Sequence, residues 1–238
     1  MSSTTRPLDS TGRVLAHLAL GAAMVVAGGI AAGLLVGRVW PAEVLRLVDR
    51  PVTRALVGMR DPVLTDVMHA VTALGGTAFV TAVVAVAAVG SYYITRRRRW
   101  PTFLVATILG AVALDNFVKY LINRPRPTLL PLVDPFGSSF PSGHTAAATA
   151  LCGALAFLLS RDRGRRTQMA IWGTAAVIVI LVAVSRIYLG AHWLTDVVGG
   201  ALLGGFWTSV TARATEYAPE VPPGTTARPR AAPVSPGG

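Results

Sequence analysis

Six stretches of this chain are long and apolar enough to cross a lipid bilayer, and this restricts its fold more than any other feature. They run at 14–36, about 76–95, 100–122, 141–160, 168–187 and 193–212. A spanning helix needs about 20 mostly apolar residues. Within lipid every backbone N–H and C=O must find its partner inside the structure, which helices achieve locally. The pattern predicts an all-α fold, a polytopic membrane helical bundle of six transmembrane helices. Composition agrees, with 53% hydrophobic and 14% charged residues. The second run is interrupted at its start, because apolar character begins near Val63 and Gly75-Gly76 follows; the glycine pair either starts that span or kinks it.

A net charge of +11 raises the question of nucleic acid. Here the charge is almost all arginine placed between apolar runs, and aromatic residues, at 7%, are too sparse for a base-stacking platform. No nucleic-acid partner is expected. Cys152 is the single cysteine, so no intramolecular disulfide can form, and it reads as a small buried apolar residue.

Basic residues near span ends set orientation. Arg96 to Arg99 fill one short connector, and Arg161, Arg163, Arg165 and Arg166 fill another. With both connectors in the cytoplasm, Arg6, Arg13, Arg213, Arg228 and Arg230 fall there too. This predicts a multi-pass plasma-membrane protein with both termini cytoplasmic. The organisation expected is a cytoplasmic N-terminus at 1–13, a six-span domain at 14–212 and a disordered tail at 213–238. The apolar run 14–36 exceeds a signal-peptide core of about 7–15 residues and is read as an uncleaved first span. The outer segment at about 37–75 carries Arg46, Arg50 and Arg54 at four-residue spacing, hence on one helix face. Leu and Val lie opposite, as in a helix lying in the interface or on a solvated connector.

Three polar clusters then fall on the outer face. Lys119, Arg124 and Arg126 end the third span, Ser142, Gly143 and His144 open the fourth, and Ser185, Arg186, His192 and Asp196 surround the last turn. Ionisable groups at membrane depth are costly and mark function by default. Lys119 and Arg126 can converge on one anion, Lys as a point charge and Arg as a two-pronged donor. "PSGH" opens a helix with Pro141 suited to its first position, and the N–H groups beyond it can approach an anion closely at Gly143. His192 and Asp196 are four apart, so on a helix the carboxylate can accept a hydrogen bond from the imidazole, fixing its tautomer. A bound phosphate would give all these groups a common reason.

At this point the chain resembles the type 2 phosphatidic acid phosphatase family, whose sites are related to those of vanadium haloperoxidases. Its signature is Lys, six residues, Arg-Pro; then Pro-Ser-Gly-His; then Ser-Arg, five residues, His, three residues, Asp. Lys119 to Arg126-Pro127, Pro141 to His144, and Ser185-Arg186 with His192 and Asp196 match at every specified position. The six-residue spacing selects Arg126 over Arg124, which is left to assist or, the favoured reading, to anchor the helix end.

The resemblance implies a membrane lipid phosphatase. His192 would attack phosphorus and form a phosphohistidine, Asp196 would orient its ring, and His144 would protonate the leaving oxygen. Lys119, Arg126, Arg186, Ser142 and the Gly143 N–H would hold the phosphate, with Arg124 and Ser185 as possible accessories. No metal or other cofactor is expected, because the acid of the site is committed to His192 and no carboxylate cluster is visible. The expected partners are a lipid phosphate or diphosphate and the bilayer. Family expectation for bacterial members favours polyprenyl diphosphate, then phosphatidylglycerol phosphate and phosphatidate. A non-enzymatic carrier on the same fold and a vanadium haloperoxidase are the alternatives; the intact signature opposes the first and the six spans oppose the second. Asp115 is expected to pair with Lys119 or with a neighbouring helix, Asp66 and His69 either to rim the site or to serve structure, and His17 to serve structure. The sequence leaves oligomeric state open.

Overall fold

The computed structural model describes residues 19, 21, 23, 42–133 and 136–217. Seven helices lie within the range from residue 42 onward: α1 (Ala42–Gly58), α2 (Pro62–Ala73), α3 (Thr77–Thr95), α4 (Arg99–Ile122), α5 (Gly143–Ser160), α6 (Arg165–Tyr188) and α7 (Leu194–Tyr217). There is no strand among the described residues. The N-terminal segment 1–13, most of the predicted first span, His17 and the tail from 218 lie outside them. Ala19, Gly21 and Ala23 are helical, and Gly21 sits so close to α7 that a Cβ there would lie 2.2 Å from Val210 Cγ1.

Helices α3 to α6 are each long and apolar enough to cross a membrane. Helix α7 equals α4 in length, at 24 residues, but its glycines, its hydroxyl residues and Asp196 make it less apolar. It also runs on to Tyr217, so residues 213–217, expected in the tail, belong to the bundle; Glu216 there reaches Arg161 at 4.0 Å.

The glycine pair starts the second span rather than kinking it. Helix α2 ends at Ala73, Gly76 caps α3, and a Cβ on Gly75 would lie 2.6 Å from the His144 carbonyl oxygen. The α2–α3 corner can therefore press directly onto the start of α5. Helix α4 stops at Asn123, whose left-handed φ of 43° asparagine tolerates better than most residues. Pro125 and Pro127 follow, and the described residues 124–133 and 136–142 are neither helix nor strand.

Helices α5 and α7 are joined by a seam of small residues, the arrangement that lets backbones approach where lipid removes a hydrophobic drive. Cβ atoms on Gly200 and Gly204 would fall 2.5 Å from Ser142 O and 2.4 Å from Ala146 O. One helical step further along the same face, Asp196 O accepts from Ser142 N at 2.9 Å. The packing seam thus carries the register of α5 into the first turn of α7. Helix α4 closes on α7 through the Trp207 indole, which donates to Ala106 O at 3.2 Å, and through a buried Thr107–Thr211 hydroxyl contact of 2.8 Å.

At the opposite end, Trp100 lies beneath two guanidinium groups, Arg99 at 4.4 Å and Arg161 at 4.6 Å from its ring centre. Both arginine-rich connectors therefore meet there. The 24 residues of α4 span about 36 Å at 1.5 Å per residue, somewhat more than the ~30 Å of a hydrocarbon core.

Helix α1 differs from the expected pattern on its inward side. Arg50 and Arg54 are exposed, as are Leu47 and Val48, whereas Asp49 and Thr53 are buried. The Arg46 side chain lies outside the described set. This helix docks through polar residues, because its neighbour is the polar end of the bundle.

Candidate active site

The three sequence clusters come together at one end of the helices. Lys119 lies in the last turn of α4, Arg124 and Arg126 in the segment after it, and His144 in the first turn of α5. Ser185 and Arg186 end α6, His192 lies in the turn, and Asp196 is in the first turn of α7. His144 is within electrostatic reach of Arg186, His192, Lys119 and Arg126 together. The Gly143 Cα faces Lys119, whose Nζ would lie 3.1 Å from a Cβ there.

Two local expectations change. Pro141 is not the first helical residue; Ser142, with an extended backbone, is the N-cap and Gly143 opens the helix. Likewise His192 is not on a helix, because the turn holding it ends before Leu194. Gly190, at φ 74°, makes that turn, and Ala191 N and His192 N both donate to Arg186 O at 3.0 and 3.3 Å.

His192 is 3% exposed and its two ring nitrogens have different partners. Nδ1 lies 2.8 Å from the Ser139 carbonyl oxygen and 3.6 Å from Asp196 Oδ2. A carbonyl only accepts, so Nδ1 carries the hydrogen and Nε2 keeps its lone pair. The backbone at Ser139 is thus the nearer tautomer-fixing partner, with the carboxylate behind it at ion-pair distance. Burial pushes the His192 pKa below its usual value, and Arg186 and Arg126 push the same way, while Asp196 opposes them. The ring is neutral at pH 7, with Nε2 3.3 Å from Arg126 Nη1.

Asp196 is fully buried and multiply held. Oδ2 accepts from Trp193 N at 2.8 Å and from the Ser139 hydroxyl, while Oδ1 accepts from Arg124 Nη1. The bond to Trp193 N is one half of a capping box, and an acid in the first turn complements the helix dipole. Arg124 also donates to Thr195 Oγ1 and to Asp49 Oδ2, both at 2.6 Å. Its fork therefore spans two carboxylates, well beyond anchoring a helix end. Removing one member of a buried pair of this kind typically costs about 3–5 kcal/mol.

The remaining cations differ in how far their donors are engaged. Arg126 gives every N–H a partner: Gly137 O, Ala191 O, Phe136 O and Ser138 O at 2.7–3.1 Å, and His192 Nε2. Lys119 pairs with Asp115, as expected. Arg186 is 6% exposed, donates to Thr72 Oγ1 at 2.8 Å, and has a buried Nε with no hydrogen-bond partner among the described residues. An unsatisfied buried donor of this kind is costly, and such groups concentrate at functional sites. Neither Arg126 nor Arg186 holds a carboxylate at ion-pair distance among the described residues. The Ser142 hydroxyl accepts from Thr145 Oγ1 at 3.0 Å, and the Ser185 hydroxyl is turned back to Val182 O at 2.7 Å.

Sequence reasoning missed Asp49, Thr72, Ser139 and Thr195. Asp49 had one usable signal, an acid in a helix otherwise marked by arginine; the other three had none, since hydroxyl residues are common beside such motifs. Asp66 and His69 are exposed on α2, and Thr72 is the residue of that helix that reaches the cluster. Among the described residues no three His, Cys, Asp or Glu side chains group as a metal site would need.

Comparison with known proteins agrees with this geometry. Residues 100–220 match the model of the PAP2 superfamily. Phosphatidylglycerophosphatase B of Bacillus subtilis is 35% identical over 159 residues, 66% of this chain and 77% of that one. Undecaprenyl-diphosphatase of Sulfolobus acidocaldarius is 32% identical over 120 residues, 48% of this chain and 54% of that one. The crystal structure of a transmembrane PAP2-type phosphatidylglycerolphosphate phosphatase from Bacillus subtilis superposes with a TM-score of 0.72 at 27% identity, covering 81% of this chain and 96% of that one. A helical bundle with membrane-length spans, a buried histidine among guanidinium groups and a family match across all three clusters lead to one conclusion: the chain belongs to the PAP2 superfamily and is one of its membrane phosphatases.

Proposed function

We propose that the protein hydrolyses the phosphate ester or diphosphate of a membrane lipid through a phosphohistidine on His192, at the outer face of the plasma membrane. The observation that carries this reading is the position of His192 Nε2. It is the unprotonated nitrogen of a neutral ring, and it stands against the guanidinium of Arg126 with Arg186 and His144 nearby. A nucleophile is there surrounded by fixed positive charge that a phosphate would neutralise.

In the first step the Nε2 lone pair forms a P–N bond while the bond from phosphorus to the lipid oxygen breaks. His144 delivers its proton to that oxygen, releasing a lipid alcohol, or a lipid monophosphate from a diphosphate. Water then attacks phosphorus, the P–N bond breaks, and the water proton returns to His144. Inorganic phosphate leaves. Lys119, Arg126, Arg186, Ser142 and the Gly143 N–H stabilise the five-coordinate charge. Arg126 must exchange some of its carbonyl contacts for phosphate oxygens, whereas Arg186 has Nε–H in reserve. Asp196 holds Ser139 and the ring of His192.

With 14–36 as the first of six spans, α7 as the last and the arginine-rich connectors on the cytoplasmic side, both termini are cytoplasmic and the site faces outward. The residue boundaries are a cytoplasmic segment 1–13, a phosphatase domain beginning at 14 and a tail after Tyr217. The relative aligned over 159 residues is a phosphatidylglycerophosphatase, which puts phosphatidylglycerol phosphate first among substrates. The undecaprenyl-diphosphatase alignment keeps polyprenyl diphosphate next. Purified protein assayed for phosphate release against lipid phosphates and diphosphates, phosphatidate included, tests the reading. Release from at least one lipid, lost in His192→Ala, is expected; no release from any member would overturn it.

A further inference from the structure

The carboxylate of Asp49 belongs to none of the three clusters, yet it is one of the most completely engaged side chains of the site. It is 2% exposed, on a helix whose other face carries the exposed Leu47, Val48, Arg50 and Arg54. Oδ2 accepts from Arg124 Nη2 at 2.6 Å and from Thr195 Oγ1 at 2.9 Å. Oδ1 accepts from Thr195 N at 2.9 Å and from the same hydroxyl at 3.1 Å. Thr195 is the second residue of α7, and its N–H is one of the donors that a helix start leaves without an internal partner. A side chain 146 positions away in sequence therefore caps the helix that carries Asp196.

Arg124 is the other half of the connection. One arm of its fork holds Asp49 and the other holds Asp196 and Thr195. Its backbone fixes Ser139 as well: Ser139 N donates to Arg124 O at 2.8 Å, and Arg124 N donates to Ser138 Oγ at 3.0 Å. Ser139 in turn presents the carbonyl that accepts from His192 Nδ1 and the hydroxyl that bonds Asp196. A continuous chain of polar contacts thus runs from α1 to the ring of the attacking histidine. A guanidinium between two carboxylates has its plane determined; with one carboxylate removed, the fork can rotate about the other.

We propose that Asp49 is a positioning residue for the phosphatase reaction: it fixes the plane of Arg124 and the first turn of α7, and through them the Asp196–Ser139 support of His192. It touches neither substrate nor reacting atoms. The inference rests on His192 being the nucleophile, so the test must separate the two.

The test uses full-length protein in detergent micelles with a lipid phosphate that the wild type hydrolyses, comparing Asp49→Asn, Asp49→Glu, Arg124→Gln, the double variant Asp49→Asn/Arg124→Gln, and His192→Ala. Asparagine keeps an acceptor for Thr195 N but loses the charge that pairs with Arg124. Supporting groups around a reactive centre commonly change activity about 10–100-fold. Asp49→Asn is therefore expected to lower kcat by about 10–100-fold with KM within about twofold, because the phosphate-holding cations are untouched. Asp49→Glu should recover most of the loss. In the Arg124→Gln background the same substitution should change kcat by less than about twofold, as non-additivity requires when one residue acts through the other. Wild-type kcat in Asp49→Asn would overturn the proposal. So would a loss that Glu does not recover, or one that is fully additive with Arg124→Gln, since either would make Asp49 merely structural. If His192→Ala retains phosphate release, the underlying reading of the site fails; if that variant is dead while Asp49→Asn is unimpaired, this inference alone fails.

Discussion

The two ends of the bundle are both rich in arginine, and they use it in opposite ways. At the connector end, Arg99 and Arg161 lie over the face of Trp100, Arg96 stacks on Tyr93, and the Arg161 side chain is 34% exposed. These are cation–π contacts, a guanidinium over an aromatic face, with the Arg161 group still partly open to water. At the site end Arg186 and Arg124 are nearly enclosed; Arg124 aims both arms at carboxylate and hydroxyl oxygens, and Arg186 gives one arm to the Thr72 hydroxyl while its buried Nε has no partner among the described residues. Net charge does not distinguish these ends. Burial and the direction of the donors do: one end leaves arginine on aromatic faces near the surface, and the other encloses it among buried oxygens.

The comparison can be broken most sharply by paired substitutions. His192→Ala should reduce phosphate release about 10³-fold or more, because it removes the nitrogen on which the P–N bond forms. Arg161→Ala at the far end should leave turnover within about twofold, an exposed cation–π contact being worth only ~0.5–1 kcal/mol of stability. Equal losses from both would show that the two ends are not functionally distinct.

A milder pair keeps the charge and removes only the fork. Arg126→Lys should cost about 10²-fold in kcat, since one ammonium cannot both hold the carbonyls of residues 136–138 and address phosphate. Arg161→Lys should be silent in the same assay. A silent Arg126→Lys would show that point charge suffices at the site.

Packing supplies a third pair. Gly200→Ala forces a Cβ to within 2.5 Å of Ser142 O and should lower the melting temperature, at an overpacking cost of about 1–3 kcal/mol. Gly90→Ala on α3, where a Cβ meets nothing within 4 Å, should be neutral or slightly stabilising. Thermal unfolding in detergent measures both.

The smallest effect concerns pH. His192 must be neutral to attack, and burial with Arg186 and Arg126 lowers its pKa below the usual 6.5 against the opposing pull of Asp196. His144 also faces this ring. Activity should persist on acidification past 6.5 and fall only as pH drops through the lowered value. Replacing Asp196 with Asn removes the opposing charge and should move that acid limb lower still, within whatever turnover remains. A limb shifted above 6.5 in the wild type would contradict the environment described for the ring.

Much of this was legible in the sequence because lipid imposes simple rules. Apolar length gave α3 to α6 to within a few residues, and the glycine pair marked the start of α3. Helix α7 was cut short at 212, because Arg213 and Glu216 break an apolar pattern without breaking a helix. The three clusters were legible because their chemistry is local: Lys119 lies a turn from Asp115, and Gly143 lies at a helix start. What stayed hidden depends on docking between distant segments. Nothing in the neighbourhood of His192 announces that a carbonyl at Ser139 holds Nδ1. Nor does the spacing of Arg124 reveal that its fork bridges Asp196 to Asp49. Polar contacts across 53 to 146 positions are set by the tertiary fold, and periodicity carries no record of them.

The central claim is that His192 is the nucleophile of this site. Rapid quenching of the purified enzyme during turnover of a ³²P-labelled lipid phosphate tests it most directly. Base-stable, acid-labile label on the protein is expected, mapped by peptide sequencing to His192 and absent from His192→Ala. Phosphate release by the wild type at full rate with label on a different residue, or with undiminished turnover in His192→Ala, would contradict it.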